Sequence, residues 1–158
     1  MPSRVPDRNR LALLVPARNA GRTLPRLFES ARQDSGFDEV IVYDDASTDD
    51  TGTVARAHGA RVVRSDVNTG PSAGKNRLAQ ETQCAWLHFH DADDALAPGF
   101  VARLRHWAEQ PGIDVVVFAA EDRDDGTDAV LGHARWDDDA LRADASRSQV
   151  GSACSSTR

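Results

Sequence analysis

Short apolar runs alternate with amphipathic segments along the first 120 residues of the chain. An apolar run bounded by polar residues is typical of a buried strand, and a nearly continuous run is typical of a strand covered on both faces. Strands are predicted over residues 11–15, 40–43, 61–64, 84–90 and 113–120. Helical spacing and Gly or Pro boundaries predict helices near residues 24–35, 51–58, 72–83 and 98–107.

This alternation predicts an α/β fold with a mostly parallel sheet flanked by helices on both faces. The first strand is expected to close at Pro16. Ligands of such sheets bind at the edge formed by the carboxyl ends of the strands. Functional groups are therefore expected in the loops that follow the strands, at residues 16–21, 44–50, 68–76 and 91–94.

The pattern weakens after Ala120. The next segments are interpreted as an acidic turn, an edge strand and a short helix, at residues 121–128, 129–131 and 136–143. Residues 1–9 form a polar lead, and residues 144–158 form a small, polar tail for which no stable structure is expected. The folded domain is therefore placed at residues 10–143.

Composition narrows the class of protein. With 158 residues, 40% hydrophobic and 28% charged, the chain fits one globular domain. The net charge of -6 argues against nucleic acid as a partner, and no apolar segment approaches the roughly 20 residues of a membrane span. Cys84 and Cys154 lack the spacing of a disulfide framework or zinc site. A cytoplasmic protein is expected, with attachment to the inner membrane face left open.

Three carboxylates follow the predicted strand at 84–90. Asp91 and Asp93 are one residue apart and can direct oxygens to a single point. Such a pair suits Mg²⁺ or Mn²⁺ carrying substrate phosphates. The alternative is an acidic turn before the next helix, because Asp is common in turns and at helix starts.

The loop at 44–50 begins with two further carboxylates. Asp44 and Asp45 lie at a strand end, where they can accept hydrogen bonds from a nucleobase or ribose, and they are candidate nucleotide ligands. Ser47 and Asp50 have the spacing of a capping box for the next helix.

The loop at 70–76 places Gly74 and Lys75 near a predicted helix start, where they could bind a diphosphate. It differs at two positions from the phosphate loop of NTPases, with Thr69 in place of the first glycine and Asn76 in place of Ser or Thr. The alternative is an ordinary helix start with a solvated lysine.

His88 and His90 lie on the same side of their strand. Together with Asp91 they raise the alternative of a zinc hydrolase. The usual HxHxDH spacing is not met, because Ala92 occupies the position of its Asp. His90 is expected to border the site and His88 to be packed.

Four stretches in this order resemble the motifs of glycosyltransferase family 2: 15–19, 42–49, 70–76 and 90–94. The resemblance implies a GT-A fold, which is Rossmann-like, and a nucleotide-diphosphate sugar as donor, with a UDP-sugar favoured. It also implies a divalent cation, Mg²⁺ or Mn²⁺, bound at a DxD motif, and an inverting reaction.

The resemblance assigns roles residue by residue. Asp45 would meet the base, Asp91 the ribose and sugar, and Asp93 the metal. Lys75 stands where an arginine is usual, and its charge can still serve the diphosphate. Three residues would line the nucleoside pocket: Pro16, Ala17 and Asn19.

Relatives of this kind continue into an acceptor-binding half that carries the catalytic base, and 148–152 resembles its beginning. The segment 144–158 is thus a tail or the start of that half. The base is not identified; Asp137, Asp138 and Asp139 are candidates, with an acidic helix start as the alternative. We expect donor binding, at most slow hydrolysis, and little transfer to a glycan, lipid or protein without a partner chain. A silent nucleotide-sugar-binding module is the alternative, and oligomerisation is left open.

Overall fold

A four-stranded parallel sheet forms the N-terminal part of the fold. The computed structural model describes residues 9–33, 36–123, 127, 129–134 and 150–157. The strands lie in the order β3-β2-β1-β4, and all pairs are parallel. Their bounds are β1 Leu11–Ala17, β2 Glu39–Asp45, β3 Arg61–Ser65 and β4 Trp86–Phe89. The prediction of a parallel sheet between helices is confirmed.

Helices cover both faces of this sheet. Their bounds are α1 Leu24–Ala31, α2 Thr51–Ala57, α3 Pro71–Glu81 and α4 Phe100–Ala108. On β1, Leu13 packs into a core cluster with residues of α1, α2 and α4, and Leu14 packs into a second cluster with Leu78 of α3. Because both faces are covered, β1 is apolar at nearly every position, as its sequence predicts.

The strand β1 continues through Pro16, which was expected to close it. Leu14 accepts a hydrogen bond from the His90 amide, so the hydrogen-bonding groups of Leu14 and Pro16 point towards β4. The register of β1 with β4 ends at Leu14 and Phe89. Proline is tolerated there because its missing amide faces no further strand.

A second sheet contains the rest of the described strands, in the order β5-β8-β6-β7. Their bounds are β5 Ala95–Leu96, β6 Val115–Arg123, β7 Val130–Ala134 and β8 Val150–Thr157. β8 is parallel to β6, and the β5·β8 and β6·β7 pairs are antiparallel.

Two expectations are wrong in this region. Residues 121–123 extend strand β6 instead of forming an acidic turn, because they pair with β7 and β8. Residues 150–157 form a strand, because they pair with β6 from Val150 onward. The helix predicted at 136–143, with Asp137, Asp138 and Asp139, lies outside the described residues. Within the described ranges, no helix combines the length and apolar character needed to cross a membrane.

Candidate functional site

The loops after β1 and β2 are joined by hydrogen bonds. The Asn19 amide donates to Ser47 Oγ at 3.0 Å, and the Thr48 amide donates to Asn19 Oδ1 at 2.8 Å. Asn19 has a φ of 51°, a left-handed conformation in which Asn is enriched. Asn19 therefore connects two loops at the carboxyl edge of the sheet, and its contact with a nucleoside stays a prediction.

A second set of contacts joins the β1 loop to the start of α2. The Gly21 amide donates to Asp49 Oδ2 at 3.0 Å, and the Thr51 amide donates to Asp49 Oδ1 at 3.0 Å. A Cβ on Gly21 would lie 2.1 Å from Asp50 Oδ1, so glycine permits this close approach. The predicted capping box is wrong: Asp50 is the N-cap without a side-chain cap bond, and Ser47 instead accepts from the β1 loop.

Asp45 holds the loop that precedes α3. Its carboxylate accepts hydrogen bonds from the Thr69 amide at 2.8 Å, the Thr69 hydroxyl at 3.0 Å and the Gly70 amide at 2.8 Å. Burial by itself would raise the pKa of Asp45, but these bonds and the charge of Arg18 outweigh it, so the pKa lies below its usual value. Asp45 is thus an ionised carboxylate that fixes the entry to α3.

Asp44 has a structural environment. It is fully buried, forms an ion pair with Arg64 on β3 and accepts a hydrogen bond from the Ser47 amide at 3.1 Å. A ligand could not reach this carboxylate without displacing Arg64. These contacts give Asp44 a structural role, and its binding to a nucleotide stays a prediction.

Gly74 lies inside α3, against the ends of β1 and β2. A Cβ at this position would lie 2.8 Å from Tyr43 Cδ1 and 3.3 Å from Pro16 Cβ. Glycine thus allows α3 to pack closely on the carboxyl edge, where Ala17 is also buried. Gly70, the N-cap of α3, has a φ of 83°, which suits glycine. Ligand contacts of Pro16, Ala17 and Gly74 stay predictions.

Two exposed opposite charges meet at the end of β4. Lys75 Nζ on α3 lies 3.3 Å from Asp91 Oδ1, and both side chains are 40–50% exposed. The Asp94 amide donates to the Asp91 carbonyl at 3.3 Å, which turns the chain after β4. Asp93 is exposed on this turn, and among the described residues its carboxylate forms no hydrogen bond or ion pair.

These two carboxylates fit one kind of metal site. Within the described ranges, no group of three or more His, Cys, Asp or Glu side chains could hold a metal ion. Asp91 and Asp93 offer hard oxygen ligands, and Mg²⁺ usually binds one or two carboxylates together with waters and substrate phosphates. The pair fits a cation that is shared with a diphosphate, and it does not fit a metal centre built from protein ligands alone.

A cavity of about 660 Å³ opens beside the Lys75–Asp91 pair, between β4 and β6. His90 lines this cavity and is 95% buried. His88 also reaches it, and its ring packs at 4.9 Å from that of Phe100. The other lining side chains are mainly apolar and include Phe89, Val116 and Phe118.

The two histidines are neutral near pH 7. Burial lowers the pKa of His88 to about 3, with a further contribution from neighbouring His90. Burial also lowers the pKa of His90 to about 4, although the charge of Asp91 and the backbone of Asp94 oppose this shift. The unfolded chain would protonate both rings below about pH 6.5.

Stability is therefore expected to fall as the pH decreases from about 6.5. Both folded pKa values lie below the unfolded value, so the stabilisation is complete above about pH 6.5 and is lost as the pH falls through about 4 for His90 and about 3 for His88. The unfolding free energy should decrease by about 1 kcal/mol per pH unit or more between pH 6 and 5. Urea unfolding at each pH measures this slope. His88→Phe should reduce it, and an unchanged slope would contradict this account.

The structure gathers most of the predicted residues at one edge of the parallel sheet, in two groups. Asn19 and Asp45 organise loops, whereas Lys75, Asp91 and Asp93 present charges to solvent. The sequence reasoning missed two residues, Arg64 and Thr69. Asp44 and Arg64 are register partners on neighbouring strands, so a search for opposite charges across β2 and β3 would have found the pair.

The fold is that of the GT-A glycosyltransferases. Among solved structures, *Staphylococcus aureus* TarS residues 1–349 matches over 72% of this chain and 36% of its own, with a TM-score of 0.65 and 24% identity, which shows the fold. *Mycobacterium tuberculosis* glucosyl-3-phosphoglycerate synthase, solved with Mn²⁺, UDP and glucosyl-3-phosphoglycerate, matches over 69% of this chain and 43% of its own. Its TM-score is 0.60 and its identity 31%.

The chain belongs to glycosyl transferase family 2, whose sequence profile matches residues 12–152. A curated relative is the succinoglycan biosynthesis protein ExoU of *Rhizobium meliloti*, which is 35% identical over 111 residues, covering 67% of this chain and 32% of the relative. The chain spans about a third of the length of ExoU and of a second curated relative from Mycobacterium tuberculosis. The resemblance seen in the sequence is confirmed, and the zinc-hydrolase alternative is not favoured.

Proposed function

We propose that this chain forms the donor-binding part of an enzyme that transfers a sugar from a nucleotide-diphosphate sugar to an acceptor hydroxyl. A UDP-sugar is the favoured donor, because the 31% identical structure contains UDP and Mn²⁺. The proposal is carried by the Lys75–Asp91 pair, which lies next to the exposed Asp93 at the carboxyl edge of the sheet.

The Lys75–Asp91 pair is well suited to exchange partners. Exposed ion pairs contribute only about 0–1 kcal/mol, so separating these two charges costs little. A cation bound to a diphosphate offers both replacements: the cation takes Asp91, and the phosphate oxygens take Lys75. The two side chains that pair with each other in the free site would thus contact the cation and the diphosphate in the complex.

The start of α3 supports the same arrangement. Gly70 and Pro71 begin this helix, and Asp45 fixes the preceding loop through three hydrogen bonds. The amino end of a helix favours anions because its first amides are unpaired and its dipole is positive there. We propose that this end and Lys75 face the diphosphate.

The proposed reaction is a single displacement with inversion at the sugar. The acceptor oxygen attacks the anomeric carbon as the bond to the leaving phosphate breaks, and the acceptor proton passes to a base. A cation held by Asp91 and Asp93 would supply positive charge to the leaving diphosphate. Lys75 adds a second positive charge to that group, and the described residues thus provide the leaving-group side of the reaction.

Titration calorimetry of the purified chain tests the proposal. UDP, GDP, dTDP and CDP are titrated with Mn²⁺, with Mg²⁺ and with EDTA. We expect one nucleotide to be preferred and its binding to require the cation. Lys75→Ala should weaken binding, and the matched control Arg77→Ala, which removes an exposed cation of the same helix paired with Glu81, should not. Absence of metal-dependent binding to all four would refute the proposal.

Asp45→Asn is expected to weaken cation-supported nucleotide binding by about fivefold. The amide keeps one acceptor oxygen for Thr69 but leaves the Gly70 amide with only its longer bond to Asn68 Oδ1 at 3.3 Å, a loss of about 1 kcal/mol. Calorimetry with the preferred nucleotide measures the change. An affinity equal to wild type would show that the loop before α3 does not contribute to binding.

A further inference from the structure

His90 carries a buried polar atom that the fold does not use. Its Nδ1 lies 3.3 Å from His88 Nε2, whereas its own Nε2 is buried and has no hydrogen-bond partner among the described residues. Buried polar atoms of native proteins nearly always have a partner, so an exception calls for an explanation. His90 is one of the residues that line the cavity, so a ligand held there is a candidate for this partner.

The orientation of the His90 ring is fixed from behind. His88 packs between three aromatic rings, at centroid distances of 5.9 Å from Phe37, 4.9 Å from Phe100 and 6.1 Å from Phe118. Because His88 is held in this way and contacts His90 Nδ1, the opposite nitrogen keeps a defined direction. Preorganised polar atoms of this kind confer specificity on mainly apolar pockets.

The chemistry of the cavity favours a neutral hydroxyl as the partner. If His88 donates to His90 Nδ1, the proton of the His90 ring is on Nε2, which then acts as a donor. If His90 Nδ1 donates to His88, His90 Nε2 has no proton and acts as an acceptor. A hydroxyl group can satisfy either tautomer, whereas a phosphate oxygen can only accept. The apolar side chains around the cavity also suit the C–H face of a sugar ring better than a charged group.

The location agrees with this choice. Lys75, the proposed contact of the diphosphate, and Asp91, the proposed contact of its cation, line the same cavity as His90. In a nucleotide-diphosphate sugar, the sugar is attached to the second phosphate, on the side away from the nucleoside. A group beside the diphosphate and inside the cavity is therefore placed to meet the sugar.

We infer that His90 Nε2 hydrogen-bonds a hydroxyl of the donor sugar and so selects the sugar nucleotide over the free nucleoside diphosphate. This inference rests on the proposed function, because it requires the diphosphate beside Lys75 and Asp91. His90 is a specificity residue for the donor in this scheme.

Two amide substitutions separate the two ring nitrogens. In His90→Gln the side-chain amide extends to about the position of Nε2, and in His90→Asn it extends only to that of Nδ1. The preferred nucleoside diphosphate and its glucose and galactose esters are titrated with Mn²⁺ into wild type and both variants. We expect all three proteins to bind the nucleoside diphosphate alike. His90→Asn should bind the preferred sugar ester about tenfold more weakly than wild type, and His90→Gln should bind it nearly as well.

The outcomes distinguish the two proposals. If wild type binds no nucleoside diphosphate, the proposed function fails and the role of His90 fails with it. If wild type binds but the two variants have equal affinity ratios between the sugar ester and the nucleoside diphosphate, only the role of His90 is overturned. Thermal melting confirms that the variants fold, and His90→Phe, with no polar atom, should reproduce the loss seen in His90→Asn if either amide variant is unstable.

Discussion

Asp93→Asn is expected to abolish most of the Mn²⁺-dependent affinity for the nucleoside diphosphate, with a loss of about 100-fold. Loss of a residue that only hydrogen-bonds a metal ligand already lowers metal affinity by about 10- to 100-fold. Asp93 is proposed as a direct ligand, so its effect is expected at the upper end of this range. The amide keeps the size of the side chain but removes its charge, and Asp93 has no other partner among the described residues whose loss could explain an effect. Calorimetry with and without Mn²⁺ measures the change.

A matched control for this prediction is Asp66→Asn, which removes an exposed carboxylate of the loop after β3. It should leave the Mn²⁺ dependence unchanged. Equal metal dependence in wild type and Asp93→Asn would remove Asp93 from the ligand set, even if the protein binds nucleotides.

Arg64→Ala should lower the free energy of unfolding by about 3 kcal/mol, the lower end of the range for breaking a buried ion pair. The carboxylate of Asp44 is fully buried, and Arg64 is its ion-pair partner. Without that guanidinium, the fold must bury an uncompensated charge. Arg64 is itself about half exposed, which is why the lower end is expected. Urea unfolding at pH 7 measures the loss.

The double variant Asp44→Asn with Arg64→Ala provides the control. It removes the buried charge together with its partner, so it should be more stable than Arg64→Ala alone. If the two have equal stability, the loss in Arg64→Ala arises from the packing of the arginine side chain and not from its charge.

The first sheet could be predicted because each of its strands carries its own signal. The central strand β1 is buried on both faces, so its sequence is apolar throughout, and glycines follow α1 and α2 within a few residues. The extent of β1 through Pro16 could not be predicted in this way. It depends on where the neighbouring strand β4 ends, which no local pattern encodes.

The second sheet was harder to predict for the same reason. Strand β8 is rich in small and polar residues, and it is ordered by backbone pairing with β6, a strand 35 positions earlier when Val115 and Val150 are compared. Strand propensity depends strongly on such neighbours. The composition of residues 144–158 indicated a tail without stable structure, because composition contains no information about the partner strand β6.

The candidate site could also be predicted only in part: its location could be, but the role of each residue could not. Carboxylates at strand ends identified the correct edge of the sheet, because parallel strands bring their carboxyl ends together. The role of each carboxylate could not be read from type and position. Asp44 and Asp45 are adjacent, yet one is paired with Arg64 and the other holds backbone amides of Thr69 and Gly70.

The hydrogen bonds between the edge loops also affect how the site forms during folding. The bonds from Asn19 to Ser47 and from Thr69 to Asp45 connect residues that are 28 and 24 positions apart. Closing such loops costs chain entropy before any contact is gained, so the bonds form only when the sheet that holds both ends is assembled. The nucleotide site is therefore a late product of folding, and a ligand that binds the native state alone would raise the melting temperature with the logarithm of its concentration above Kd.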